Sequence, residues 1–210
     1  RLRPLGETVK PLRRAMGLEL TLVTAEGPTA HGTGAVMTGS SEVCRSALFS
    51  REGFAACDAH YRALATGEPS VEAPCHMGLG SIAVRVPTEG TAPLYVVASG
   101  FSATAMPACP PADPVRVAAR LLVLDPGLGD ATDIARRLPQ VRGDRVDFVR
   151  ALLFQAADEI AAAIDADARS RKSTGASEAG AFGIVGRSPK MKETFDLLRR
   201  VVASEAPVLV

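Results

Sequence analysis

The sequence predicts an α+β fold: an antiparallel sheet with short helices on one face, followed by a long C-terminal dimerising helix. Three observations carry that prediction. LELTLV (Leu18 to Val23) alternates apolar and polar side chains with a period of two, the pattern of a half-buried strand. Two later strand-like segments, SIAVRVP and PLYVVASGF, are separated by Thr-Glu-Gly-Thr, a turn of hairpin length. From Asp144 to about Arg171 there is neither proline nor glycine, and apolar side chains recur at helical spacing.

Taken in order, residues 1–16 have a mixed helical pattern, with Val9, Leu12 and Met16 on one face. After the first strand, Gly-Pro-Thr-Ala-His-Gly-Thr-Gly reads as a loop containing His31, and a second short strand is expected around Ala35 to Thr38. EVCRSALFS and FAACDAHYRALATG read as two short helices, the second stopped by Gly67. Strand, strand, short helices, then antiparallel strands is an order similar to that of PAS and GAF sensory folds, which hold a cavity between sheet and helices. A proline-rich break, MPACPPADP, leads to the helices VRVAARLLVL and ATDIARRL, separated by Pro126 and Gly127. In the last helix Val146, Val149, Leu153, Ala156, Ile160 and Ala163 recur at steps of three and four, a heptad seam. Such a seam either pairs with its copy in a homodimer or packs on its own domain's core. SRKSTGASEAGAFG then reads as a flexible linker.

Bulk properties narrow the class of function. The chain has 210 residues, 47% of them hydrophobic, so a packed core with extensions is expected. With 24 basic residues against 23 acidic ones and no basic cluster, direct binding to DNA or RNA is not expected. No apolar run approaches the roughly 20 residues of a membrane span, and the start RLRPLGETVK lacks an apolar signal region. The sequence reads as cytoplasmic. Tryptophan is absent and tyrosine occurs twice, which poorly supplies an aromatic cage.

The terminal stretch IVGRSPKMKETFDLLRRVVASEAPVLV (Ile184 to Val210) resembles the beginning of the AAA+ domain of sigma-54-dependent enhancer-binding transcriptional activators. The match is a hydrophobic pair before Gly-Arg-Ser, a helix with Met191, Leu197, Leu198 and Val201 on its apolar face, and Ala-Pro-Val-Leu-Val entering a strand. In that family the strand runs into a Gly-rich phosphate loop, which lies beyond Val210, so this chain is not expected to be an enzyme by itself. The resemblance implies that Ile184 and Val185 lie near the adenine of ATP in the intact protein. It also implies that sigma-54 RNA polymerase and DNA are met only through other domains. The preceding region resembles the PocR-type sensory domain, through Cys44-Arg45, Cys57-Asp58 and APCHMGL (Ala73 to Leu79). That family has Cys-His-Ala-Gly-Leu where this chain has Cys75-His76-Met77-Gly78-Leu79. It tends to have glutamine after the glycine of its last strand, where this chain has Phe101 and Ser102 after Gly100.

Four cysteines, Cys44, Cys57, Cys75 and Cys109, are separated by 13, 18 and 34 positions, without the short knuckle of a zinc ribbon. The predicted fold nonetheless allows all four to converge at one end of the sheet. Four thiolates suit tetrahedral zinc or an iron–sulfur cluster, with His76 as a substitute ligand, and the alternative is buried or redox-idle thiols. His76 is expected either to line a cavity and donate to a ligand or to hold its own turn. His60, between Asp58 and Arg62, reads as part of a solvated face. Cys75 and His76, being adjacent in the chain, are expected to point apart and not to share a proton.

The expected organisation is a PAS/GAF-like sensory domain over 1–143, a dimerising output helix over 144–172, a linker over 173–183 and a truncated AAA+ start over 184–210. The expected function is that of a signal-sensing regulatory domain binding a small-molecule ligand near Cys44, Cys57, Cys75 and His76. The alternative is a cysteine-based metal, iron–sulfur or redox sensor using Cys44, Cys57, Cys75 and Cys109. A run of small side chains, Ala55, Ala56, Ala59, Ala63 and Ala65, is expected to leave space over the sheet for that ligand.

Overall fold

The computed structural model describes residues 17–28, 41–88 and 92–173, with side chains as far as residue 169. The helix expected over 1–16, the strand around Ala35 to Thr38, His31, the linker beyond Ser173, and Ile184 and Val185 lie outside the described residues. The chain divides into two compact units, Arg1–Ala163 and Ile164–Val210.

Among the described residues the fold is mixed α/β, with an open, largely antiparallel sheet and five helices. LTLVT forms β1 (Leu20–Thr24), where the alternation predicts it, and turns back immediately into a two-residue β2 (Gly27–Pro28). Two helices follow, α1 (Glu42–Phe49) and α2 (Arg51–Leu64). Ser41 caps α1, its Oγ accepting from the Cys44 amide at 3.2 Å. Ser50 is at once the C-cap of α1 and the N-cap of α2, with Oγ accepting from the Gly53 amide at 2.9 Å. The joint is tight enough that a Cβ on Gly53 would lie 2.1 Å from the Ala47 carbonyl oxygen.

The chain returns as β3 (Ser70–Pro74), β4 (Gly80–Arg85) and β5 (Leu94–Ala103), and the sheet order is β2-β1-β5-β4-β3. β3 was not expected: SVEAP is short and ends in proline, and only two apolar side chains, Val71 and Ala73, mark its alternation; pairing with β4 supplies the rest of the drive. Gly80 lies opposite Phe101 and Ser81 opposite Ser99, so Gly100 is an extra residue in β5, a bulge that its φ of +83° explains. Beyond β5 come α3 (Pro114–Leu124), α4 (Ala131–Arg136), a short β6 (Gln140–Val141) parallel to the end of β5, and α5 (Gly143–Ser173).

Each face of the sheet is covered differently. Val23, Ala83, Tyr95 and Val97 pack with Tyr61 and Leu64 of α2. On the opposite face Ile82, Val84, Val96 and Ala98 are fully buried, and there the Arg150 guanidinium of α5 pairs with Glu72 of β3. Val146, Val149, Leu153, Ala156 and Ile160 are all at most 2% exposed within a single copy. The heptad seam is therefore already covered and not open to a second copy, which corrects the expectation that it holds a dimer. Each large side chain so buried contributes roughly 1.5–3 kcal/mol to the chain's own fold. A second small core joins Val43 and Ala47 of α1 to Met77, Leu79, Val117, Leu121 and Ile134. No helix among the described residues is long and apolar enough to cross a membrane.

Candidate functional site

The thiol-bearing positions come from four different pieces of chain. Cys44 is in α1, Cys57 in α2, Cys75 in the turn between β3 and β4, and Cys109 in the loop after β5. All four are free, the first three half-buried and Cys109 buried. Cys44 and Cys75 pack against the small core around α1, α3 and α4. Cys57 faces the turn, and its Sγ lies 3.5 Å from His76 Nε2.

The turn is built to present His76. Gly78 donates its amide to the Cys75 carbonyl at 2.8 Å, and Cys75 donates to Leu79 at 2.8 Å, closing a tight loop. Gly78 has φ +77°, and Arg120 of α3 lies so close that a Cβ there would be 2.6 Å from its Nη1. His60, one turn along α2 from Cys57, places Nε2 2.9 Å from Ser81 Oγ on β4. Beyond it Tyr61 bonds Ser99 Oγ at 2.8 Å under full cover. One helix thus sets a thiol, an imidazole and a phenol over three successive polar points.

Burial keeps Cys57, Cys75, Cys109, His60 and His76 neutral at neutral pH, beside the charged Arg120 guanidinium. Burial, reinforced by the neighbouring thiols of Cys44 and Cys75, pushes Cys57 up to about 12. Cys75 rises to about 11, again first through burial and then through Cys44, and burial raises Cys109 as well. Burial lowers His60 to about 4, helped by His76. His76 is also lowered, by burial and then by the Arg120 guanidinium. With the sulfur protonated and the imidazole neutral, the Cys57 thiol donates to Nε2 when His76 carries its proton on Nδ1.

The structure thus brings Cys44, Cys57, Cys75 and His76 to one corner, with Cys109 close enough to Cys75 to influence its acidity. It does not assemble a ligand cage: among the described residues no three His, Cys, Asp or Glu side chains are grouped to hold a metal ion. Two readings of the sequence are corrected. His60 is not on a solvated face but reaches the sheet, because Cys57, Tyr61 and Leu64 share the helix's inner side at steps of four and three and His60 adjoins them. That spacing was the available signal; the Asp58–Arg62 pair, at 2.7 Å on the outer side, masked it. Ala55, Ala59 and Ala63 are exposed, so they do not create space over the sheet. The imidazole partner of Cys57 was also missed, since nothing in the spacing of positions 57 and 76 announces it. Comparison with known families, curated proteins and solved structures gives no match to this chain.

Proposed function

We propose that this chain is the signal-receiving region of a regulatory protein, in which a small molecule binds at the Cys57–His76 corner and biases an attached output domain. The resemblance of Ile184 to Val210 to the start of a sigma-54 activator AAA+ domain makes that output an ATPase in the intact protein. The observation that carries the reading is the convergence of α1, α2 and the β3–β4 turn on one partly exposed group of polar side chains, joined by the 3.5 Å Cys57–His76 contact. Side chains that only stabilise the fold are more often fully buried and fully bonded, as Tyr61 and Ser99 are. With thiols and imidazoles held neutral beside the Arg120 guanidinium, the corner favours a ligand rich in hydrogen-bonding groups and not a cationic one. Such a ligand acts on the output only through unequal affinity for two arrangements of the chain.

Native mass spectrometry of the purified chain against a panel of small polar metabolites tests this. The expected result is a stoichiometric adduct that His76→Ala weakens at least about tenfold while the melting temperature stays close to wild type. Equal binding by His76→Ala and by a Cys57→Ala, His76→Ala double variant would remove the corner as the site. A second reading, a cysteine-based redox sensor, draws support from Cys44 and Cys75 lying near enough to Cys57 to influence it, whereas the described residues offer no grouped ligands for zinc or an iron–sulfur cluster. The same spectra separate the two, since metal, disulfide and organic ligand give different mass changes.

A further inference from the structure

Beside the exposed Arg116 and Arg120, helix α3 leaves large apolar side chains uncovered on its outer face. Val117, Ala118 and Leu121 face the small core, while Val115, Leu122 and Val123 are 74%, 42% and 80% exposed. Ala119 lies exposed between them, with Arg116 on the flank. Helix α5 also carries apolar side chains on its outer face, Phe148 at 49% and Phe154 at 42% exposure. There they lie among exposed Asp144, Asp147 and Asp158. Five of the seven exposed large apolar side chains among the described residues are on these two helices.

We infer that the outer face of α3 docks on the outer face of α5 of a second copy. Charge selects this pairing over the simpler ones. Asp147 is already paired with Arg150, but two α5 faces brought together would still set Asp144 and Asp158 against their own copies, and two α3 faces would oppose Arg116 and Arg120 to themselves. Like charges at an interface are costly. α3 on α5 instead sets Arg116 among the carboxylates while valine and leucine meet phenylalanine. Area selects the closed form. One short helix on another covers much less than the roughly 800 Å² per partner of a standard interface. A twofold dimer makes the contact twice, each copy giving both its α3 and its α5. The surface has a link to the candidate site, since Arg120, one turn beyond Arg116, lies beside Gly78 and His76. The inference does not depend on what that site binds.

Sedimentation equilibrium of the whole chain tests it, with Arg116→Glu, Asp158→Lys and their equimolar mixture alongside wild type. All substituted side chains are exposed, and circular dichroism melts establish that each variant is folded. Wild type is expected to dimerise with concentration, and more weakly as salt rises from about 0.1 to 0.5 M. Each single variant should raise the dimer dissociation constant at least about tenfold. The mixture should recover most of the loss, because in the mixed dimer each α3 again meets an opposite charge on α5. Val123→Ser should weaken association in wild type and in the mixture alike. A wild-type chain that stays monomeric at about 100 µM, a dimer indifferent to both charge reversals, or a mixture no stronger than its components would each overturn the inference.

Discussion

The last turn of α2 and the turn before it sit over the same sheet and do different work. At its C-terminal end Tyr61 and Leu64 are 6% and 1% exposed, and Tyr61 is bonded to Ser99, so that end is sealed core. In the middle turn Cys57 and His60 are half-buried, and their partners His76 and Ser81 come from a turn and a strand start. The difference teaches where stability and responsiveness reside in this fold. The sealed end is apolar side chains packed at close range, which nothing small can enter; the polar turn has hydrogen bonds that a ligand can exchange for its own.

The contrast breaks most visibly in the sealed parts. Leu153→Asp should unfold the chain, since Leu153 is fully buried in one copy. A loss of more than about 4 kcal/mol is expected in urea unfolding, from the lost packing and the buried charge together. A folded Leu153→Asp monomer would mean that the seam is a surface after all.

Next in size is acid sensitivity, which belongs to the polar turn. His60 has a lowered folded-state value, so its contribution is complete above about pH 6.5 and is lost as pH falls toward about 4, and His76, also lowered, acts in the same direction. For His60 the slope stays below about 1.4 kcal/mol per pH unit, since solvent screens a partly exposed group. Denaturation midpoints should therefore fall between pH 6.5 and 5, and His60→Gln should flatten that slope. An unchanged slope would return His60 to solvent.

Tyr61→Phe should cost about 1–2 kcal/mol by leaving Ser99 Oγ buried without the partner it has now, read from the same urea curves. Cys57→Ala, one turn earlier in the helix, should cost less, within about 1 kcal/mol, because Cys57 is partly exposed and its bond to His76 is long. If the Cys57 variant proved the more damaging, the two turns would have to exchange roles.

The sequence made one kind of information legible and left another hidden. Period and punctuation marked β1, β4, β5 and all five helices, because alternation and capping act over a few residues. What covers a face was not legible. The α5 seam is apolar whether a copy or the chain's own sheet lies on it, and only the buried Leu153 and the Arg150–Glu72 pair decide. The site divided along the same line. That Cys44, Cys57 and Cys75 meet followed from the predicted order of elements, whereas the Cys57–His76 and His60–Ser81 contacts depend on side-chain direction across elements far apart in sequence.

The single-residue joint at Ser50 bears on how this chain can change in length. Ser50 closes α1 and opens α2, so the two helices share no slack. One residue added there has no loop to absorb it and would displace the start of α2, shifting Cys57 from His76 and Tyr61 from the sheet together. One residue removed would do the same in the opposite sense. Insertions that leave the fold intact should therefore accumulate elsewhere, in the turns at 66–69 and 126–130, and spare this elbow.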